Sequence, residues 1–263
     1  MVAITVLIPT FNPNVQYLKE MLLSLNKQSI QNFQVLIIDE STSFDISYIK
    51  SIKCNFKIKI IKPMKKIGLA CSLAFGVDQI RTKYIARIDS DDVMHPNRLE
   101  KQFNFMENNT DVDVLGSAVQ KIDSRGYKIG VRSFPLEDKE IKISLHLWNS
   151  VAHPAVFIRR SFFEKYGNYS ANQHNEDYEL WLRAAKLGAI FHNLKNPYLF
   201  YRIQGEIGIS RGRYWKENLR LKIKYFNYQY FGVCILGLIL VLFASLLPSF
   251  LFKHFSRLYN KFI

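Results

Sequence analysis

The chain has 263 residues, 48% of them hydrophobic and 22% charged, which excludes a disordered chain and leaves room for one large α/β domain or two small ones. Its formal charge of +14 is uneven: residues 211–263 carry nine Lys and Arg against one Glu, a net of +8, so residues 1–210 hold only +6. No zinc-finger spacing, RNP-type motif or basic heptad accompanies that charge, which argues against a nucleic-acid partner, and the three scattered cysteines, Cys54, Cys71 and Cys234, suit a reducing cytosol.

Residues 4–8, Ile-Thr-Val-Leu-Ile, read as a buried strand stopped by Pro9; no basic leader precedes them, so a signal peptide is not expected. Asn14 can cap a helix whose apolar face is Val15, Leu18, Leu22 and Leu25. Residues 33–38 form a second buried run that ends at Asp39-Glu40-Ser41-Thr42, and residues 56–61 alternate like a half-exposed strand. Gly68 opens a helix of small residues over 69–80, and residues 84–88 are the next strand. Strand, helix, strand at this spacing predicts a parallel sheet with crossover helices. Ligands bind such sheets beyond the strand C-termini. Thr10, Asp39 and Asp89 each follow a strand and are therefore expected along one edge. Further on, the pattern predicts a helix over 92–108, strands over 112–119 and 155–159, and a helix over 176–187 with Leu180, Ala184 and Leu187 on one face.

Asp89-Ser90-Asp91-Asp92 places three carboxylates within four residues at a strand end. As a plain turn they cap the next helix. As a ligand set they offer the hard oxygens that Mg²⁺ or Mn²⁺ takes beside phosphate oxygens, and a divalent ion removes their mutual repulsion. A further acidic pair, Glu176-Asp177, opens a helix, where the dipole stabilises negative charge and simple capping is the plainer role.

In chain order, Val6-Leu-Ile-Pro-Thr-Phe-Asn12, Ile37-Ile-Asp-Glu-Ser-Thr42, Gly68-Leu-Ala through Gly76, Tyr84 to Asp92, His153-Pro-Ala-Val-Phe-Ile-Arg159 with Gly167-Asn-Tyr169, Glu176-Asp-Tyr-Glu-Leu-Trp-Leu-Arg183, and Tyr201-Arg202 together resemble a family 2 glycosyltransferase over about residues 3–210. The resemblance is to enzymes of bacterial surface polysaccharides: capsule, O-antigen and exopolysaccharide. It implies an α/β GT-A fold, a Rossmann-like and mostly parallel sheet flanked by helices, in a catalytic domain of residues 1–210. It implies that Pro9, Thr10, Asp39 and Asp89 bind a nucleotide sugar, a UDP-sugar above all. Asp91, supported by Asp92, would hold Mn²⁺ or Mg²⁺. Asp177 would be the general base of an inverting transfer, with Glu176 orienting it. His153, Trp181 and Arg183 would stand on the acceptor side, although Trp181 reads more readily as core packing and His153 equally as a structural histidine. Three departures stand out: Glu40 for the usual second Asp, Ala74 where many relatives carry Asn, and Gln204 near a common His.

Residues 211–263 form a basic, apolar tail. Phe231 to Phe252 are 22 consecutive uncharged residues between basic flanks, long enough for a membrane helix. Like-charged flanks leave a spanning helix and a hairpin broken near Pro248 both open. A membrane-associating segment beside a sugar-transfer domain points to a polyprenyl-linked saccharide acceptor at the cytoplasmic face of the cell membrane. Two other classes remain: a degenerate nucleotide-sugar binding module without turnover, and a nucleotidyltransferase, which usually has a Gly-rich loop where this chain has Pro9-Thr-Phe-Asn-Pro13.

Overall fold

The computed structural model describes residues 2–171, 175–203 and 211–246. Strands β1 (Ile4–Thr10), β2 (Phe33–Asp39), β3 (Lys57–Ile61) and β4 (Tyr84–Arg87) lie in parallel in the order β3-β2-β1-β4. Helices α1 (Val15–Asn26) and α2 (Leu69–Gln79) cross between them on opposite faces. Both faces of the inner strands are buried, so the runs are apolar throughout. Ile4, Val6 and Ile8 pack with Leu18, Met21 and Leu22 of α1, while Leu7 packs with Leu73 and Val77 of α2. Asn14 caps α1 as expected: its side-chain oxygen accepts from the Gln16 and Tyr17 amides.

β1 continues through Pro9 to Thr10 instead of stopping there. The Ile88 amide donates to Leu7 O and the Glu40 amide to Thr10 O. By alternation Pro9 therefore faces the β4 side, where β4 has already ended and no donor is needed.

The second half is β5 (Val93–Met94), α3 (Arg98–Asn108), β6 (Val114–Ile122), β7 (Lys128–Arg132), α4 (Asp138–Leu145), β8 (Phe157–Arg159), α5 (Arg160–Tyr166), α6 (Glu176–Lys186) and β9 (Phe191–Arg202). The full sheet runs β3-β2-β1-β4-β8-β6-β9-β5, with β7 on β6. Among the described residues four strand pairings are parallel and four antiparallel. The sheet is therefore mixed, not mostly parallel; the short β6–β7 turn, for one, permits only an antiparallel pair. The helix expected over 92–108 begins only at Arg98. Val93–Met94 pairs instead with Leu199 and Phe200, and Pro96 disfavours helix in the residue before it. Leu187, expected on the buried face of α6, is the C-cap and is 60% exposed.

Beneath the middle of the sheet lies Arg98, fully buried. It donates to the carbonyls of Arg87 (2.8 Å), Pro154 (3.0 Å) and Val156 (3.2 Å) and to Gln102 Oε1 (2.9 Å). These carbonyls belong to β4 and to the turn before β8, and of the three Val156 O also accepts the Arg87 amide.

The chain closes with α7 (Arg211–Lys224) and α8 (Phe231–Leu246). α8 buries Cys234, Gly237, Val241 and Ala244, and Val241 and Ala244 cluster with Trp215 of α7. Its opposite side leaves Phe231, Ile235, Ile239, Leu242 and Leu246 exposed. Residues 247–252 of the predicted apolar run, Pro248 and Gln204 lie outside the described residues.

Candidate active site

At the C-terminal edge of the sheet Thr10 and Asp39 are register partners. Asp39 is fully buried. Its Oδ1 accepts the Ser41 amide at 3.0 Å, but its Oδ2 and the Thr10 hydroxyl have no hydrogen-bond partner among the described residues. Leaving such atoms bare costs about 1–3 kcal/mol each, so this edge is built for a ligand that donates. Asn12, at φ 45°, ties the two loops together: its amide donates to Ser41 Oγ, and its Oδ1 accepts the Thr42 and Ser43 amides. Asn tolerates that left-handed backbone. Glu40 faces the other way. Its carboxylate accepts the Ile67 and Gly68 amides (2.7 and 2.8 Å) and the Ser72 hydroxyl, so it caps α2 from a distance.

Beyond β4, Asp89 is held by both arms of the Arg87 guanidinium (2.6 and 2.8 Å), a fork that fixes its plane. The Asp92 carboxylate is buried; Oδ1 accepts the Arg202 amide at 2.8 Å and Oδ2 has no partner among the described residues. Burial, and then Asp89, hold its carboxyl well above the usual range. The Arg202 side chain clamps the same turn through Asp91 O (2.8 Å) and reaches Glu20 (2.6 Å). Asp91 itself is half-buried.

A cavity of about 250 Å³ opens beside Asp89 and is lined also by Arg87, His153, Glu176, Asp177 and Tyr201. Asp177 stands in the first turn of α6. Burial pushes its carboxyl up, while the Tyr178 amide and the Asn149 side chain pull it down. The Asn149 amide donates to Oδ2 at 2.6 Å. Burial, and then the Asp177 charge, push Glu176 up to about 7. His153 is kept neutral by burial, with Arg87 adding to the effect; one ring nitrogen meets the Tyr169 hydroxyl at 2.9 Å and the other faces Glu176 at 3.8 Å. A neutral imidazole beside two carboxylates, with ligand atoms all within 4.8 Å of one another, is the one group of three among the described residues close enough to hold a cation.

A family model described as "Glycosyl transferase family 2" matches residues 5–167. The chain belongs to glycosyl transferase family 2. Its relatives include an uncharacterised glycosyltransferase of Methanocaldococcus jannaschii, 30% identical over 95% of this chain and 91% of that protein. The amylovoran biosynthesis glycosyltransferase AmsE of Erwinia amylovora is 29% identical over 80% of each chain. A UDP-Gal:alpha-D-GlcNAc-diphosphoundecaprenol beta-1,3-galactosyltransferase of Escherichia coli is 29% identical over 89% of this chain and 87% of the relative. Among solved structures, S. aureus TarS 1–349 in complex with UDP-GlcNAc superposes with a TM-score of 0.66 at 16% identity, over 84% of this chain and 66% of that fragment. Against another TarS crystal structure this chain spans only 39% of the length. At that identity the likeness establishes the fold, GT-A.

In this family 2 glycosyltransferase the cavity brings together Asp89, His153, Glu176 and Asp177 of the residues expected from sequence. Pro9, Thr10 and Asp39 lie along the neighbouring strand ends and do not line it. Trp181 is fully buried between His153, Phe162 and Phe191, in the core behind the cavity and not on its acceptor-facing wall. Arg183 points away: it binds Glu179 and the carbonyls of Tyr166 and Asn168, and so holds the Gly167 turn. The family-position Ala74 supplies its carbonyl to Asn168 at 2.9 Å. Sequence reasoning missed Asn149, Lys121 and Arg132, all on the cavity wall. Lys121 and Arg132 sit on one face of the β6–β7 hairpin. Burial, and then the Arg132 charge, hold the Lys121 ammonium below its ordinary range, a repulsion that a bound anion would relieve.

Proposed function

We propose that the chain moves a sugar from a UDP-sugar to a hydroxyl of a lipid-linked saccharide, with inversion, at the cytoplasmic face of the cell membrane during surface polysaccharide synthesis. The observation that carries this reading is Asp177: a carboxylate fixed by Asn149 at the mouth of a cavity shared with Asp89. The acceptor hydroxyl gives its proton to the Asp177 carboxylate. Its oxygen forms a bond to the anomeric carbon while the bond to the diphosphate oxygen breaks, and UDP leaves. One carboxylate acting as base, with none needed as nucleophile, yields inversion. The unpartnered Thr10 and Asp39 oxygens favour a base edge that donates, as the N–H of uracil does. TarS crystallises in complex with UDP-GlcNAc and with UDP, and the E. coli galactosyltransferase takes its name from UDP-Gal, which supports the donor class.

We read Asp91, with Asp92 and Asp89 of the same turn, as the all-oxygen ligands for Mg²⁺ or Mn²⁺ from the chemistry of the donors, although the one group of three ligand atoms within 4.8 Å among the described residues is His153, Glu176 and Asp177. Bound there, such an ion would stabilise charge on the leaving diphosphate. A cation held instead by His153, Glu176 and Asp177 would occupy the base, so the Asp91 set is the better reading.

A cavity of this volume suits a single sugar, and Lys121 with Arg132 gives it a cationic wall. That favours an acceptor sugar carrying a diphosphate, the chemistry named in the E. coli relative. The test is a nucleotide-sugar panel scored for nucleoside diphosphate release with a glycosyl diphosphate or a neutral glycoside as acceptor. The diphosphate is expected to be preferred, and Lys121→Gln to raise its KM about tenfold, the loss of one charge-assisted contact. Equal use of both acceptors by the wild type would reject the anionic acceptor; donor binding without any product would reject turnover.

For the tail, residues Tyr228–Leu246 form a helical stretch of 19 residues with a mean hydropathy of 2.2, long and apolar enough to cross a bilayer, and 22% of its most apolar window is buried. We read its exposed apolar side as a lipid-facing surface. Ile235→Glu with Ile239→Glu, both on that side, is expected to abolish flotation of the full chain with phospholipid vesicles; flotation equal to wild type would reject the reading.

A further inference from the structure

We propose that Lys222 of α7 is a positioning residue for Asp177, and that the α7–α8 pair is thereby a working part of the active site as well as an anchor. This rests on the reading of Asp177 as the base. The link begins at the turn after α4. Asn149, which fixes Asp177, follows directly on the segment Leu145–Trp148. The amides of that segment close back on the last turn of α4, His146 onto Ile143 O and both Leu147 and Trp148 onto Ser144 O. Its carbonyls are gripped from outside. The Tyr178 hydroxyl donates to Leu145 O at 2.6 Å. The Lys222 ammonium donates to His146 O, to Leu147 O at 3.1 Å and to the Tyr178 hydroxyl at 3.0 Å.

Three acceptors match the three donors of an ammonium, and Lys222 is buried, 4% exposed. It therefore joins the two strips of chain that carry the catalytic contact: the turn that ends in Asn149, and Tyr178, the residue after Asp177. α8 closes on the same spot. A Cβ on Gly237 would overlap the His146 carbonyl oxygen and come within 3.3 Å of Lys222 Nζ, so only glycine lets the helix seat there. Tyr230, just before α8, lies 5.7 Å from the His146 ring. Two further contacts hold α7 to the start of α6: Asn175 to Asn218 at 3.0 Å, and Tyr225 to Glu179. Seating of the lipid-facing helix is thus transmitted through Gly237, His146 and Lys222 to Asn149 and the base.

The experiment compares the full chain with Lys222→Met, Gly237→Ala and Asn149→Ala. Lys222→Met is expected to lower kcat on the order of 10- to 100-fold, the cost of about 1 Å of misplacement, with the donor KM changed less than about twofold. In the Asn149→Ala background it should cost nothing more, because both act on one contact. Gly237→Ala should reproduce the kcat loss without removing a charge, and it carries the test if Lys222→Met does not fold. Amide exchange over residues 147–151 should quicken in both variants, a readout that needs no turnover. Unchanged kcat and exchange in folded variants, or losses that add to that of Asn149→Ala, would overturn the proposal. A wild-type chain that transfers no sugar would reject the base reading separately, and exchange would still decide the coupling.

Discussion

Replacing Asp177 by Asn is expected to lower sugar transfer on the order of 10²- to 10⁴-fold, the usual contribution of a positioned base, and to leave nucleotide-sugar affinity within about twofold. The side chain keeps its shape and loses only the ability to take a proton. Asp91→Asn should behave differently: it should abolish the stimulation of donor binding by Mn²⁺ or Mg²⁺, because a neutral amide is a poor ligand for a hard cation. Titration calorimetry with the nucleotide sugar, with and without metal, separates the two. Loss of donor binding in Asp177→Asn would move that residue out of the acceptor side. The wild-type pH profile carries the same signature. A base works only when deprotonated, and burial pushes Glu176 up to about 7 with Asp177 also raised. Turnover should therefore fall on the acid side at a pH above the ordinary carboxylate range. Glu176→Gln removes the neighbouring charge and should move that limb to lower pH; a limb that stays put would show that the pair does not govern it.

Arg98→Met is the substitution expected to cost most in stability. It leaves the carbonyls of Arg87 and Pro154, and Gln102 Oε1, without their donor, and takes one of two donors from Val156 O, which keeps the Arg87 amide. At about 1–3 kcal/mol for each buried orphan, a loss of roughly 4 kcal/mol or more follows, a large share of a domain's 5–15 kcal/mol. Methionine replaces the aliphatic stem but none of the bonds, and lysine cannot span four acceptors in one plane. Urea unfolding should show a lower midpoint with an unchanged slope. A midpoint equal to wild type would mean that the carbonyls find other donors. Because Pro154 follows His153 directly, turnover should drop in Arg98→Met before unfolding does.

The strands of the first half were legible because both their faces are buried, so the apolar runs are unbroken, and Asn14 announced its helix by cap chemistry. The acidic clusters were legible because carboxylates are rare at the ends of such runs. β7 was not: Lys128 to Val131 are exposed, so no burial pattern marks them, and Gly130 interrupts the propensity. α4 and α5 are only eight and seven residues long, too short for a periodicity to declare itself. Lys121 and Arg132 read as ordinary surface cations because only strand pairing brings them to one face. Asn149 carries no signal at all, since its meaning depends on a contact with Asp177, 28 residues away. Arg183 shares a helix with Asp177 but lies six residues on and faces elsewhere, whereas Trp181, four residues on and on the same face, sits one turn deeper, where the core covers it.

The two-sided character of α8 has a consequence for how deep the enzyme can ride. One flank of that helix is fastened to a body studded with ammonium and guanidinium groups, and a rod so fastened cannot be sheathed by acyl chains all the way round. If the exposed side faces lipid as proposed, the docked helix would rest lengthwise in the headgroup layer and hold the cavity at a fixed height above the hydrocarbon. To enter the bilayer on end it would first have to lift Gly237 off His146, uncovering the buried Lys222–His146 contact to solvent.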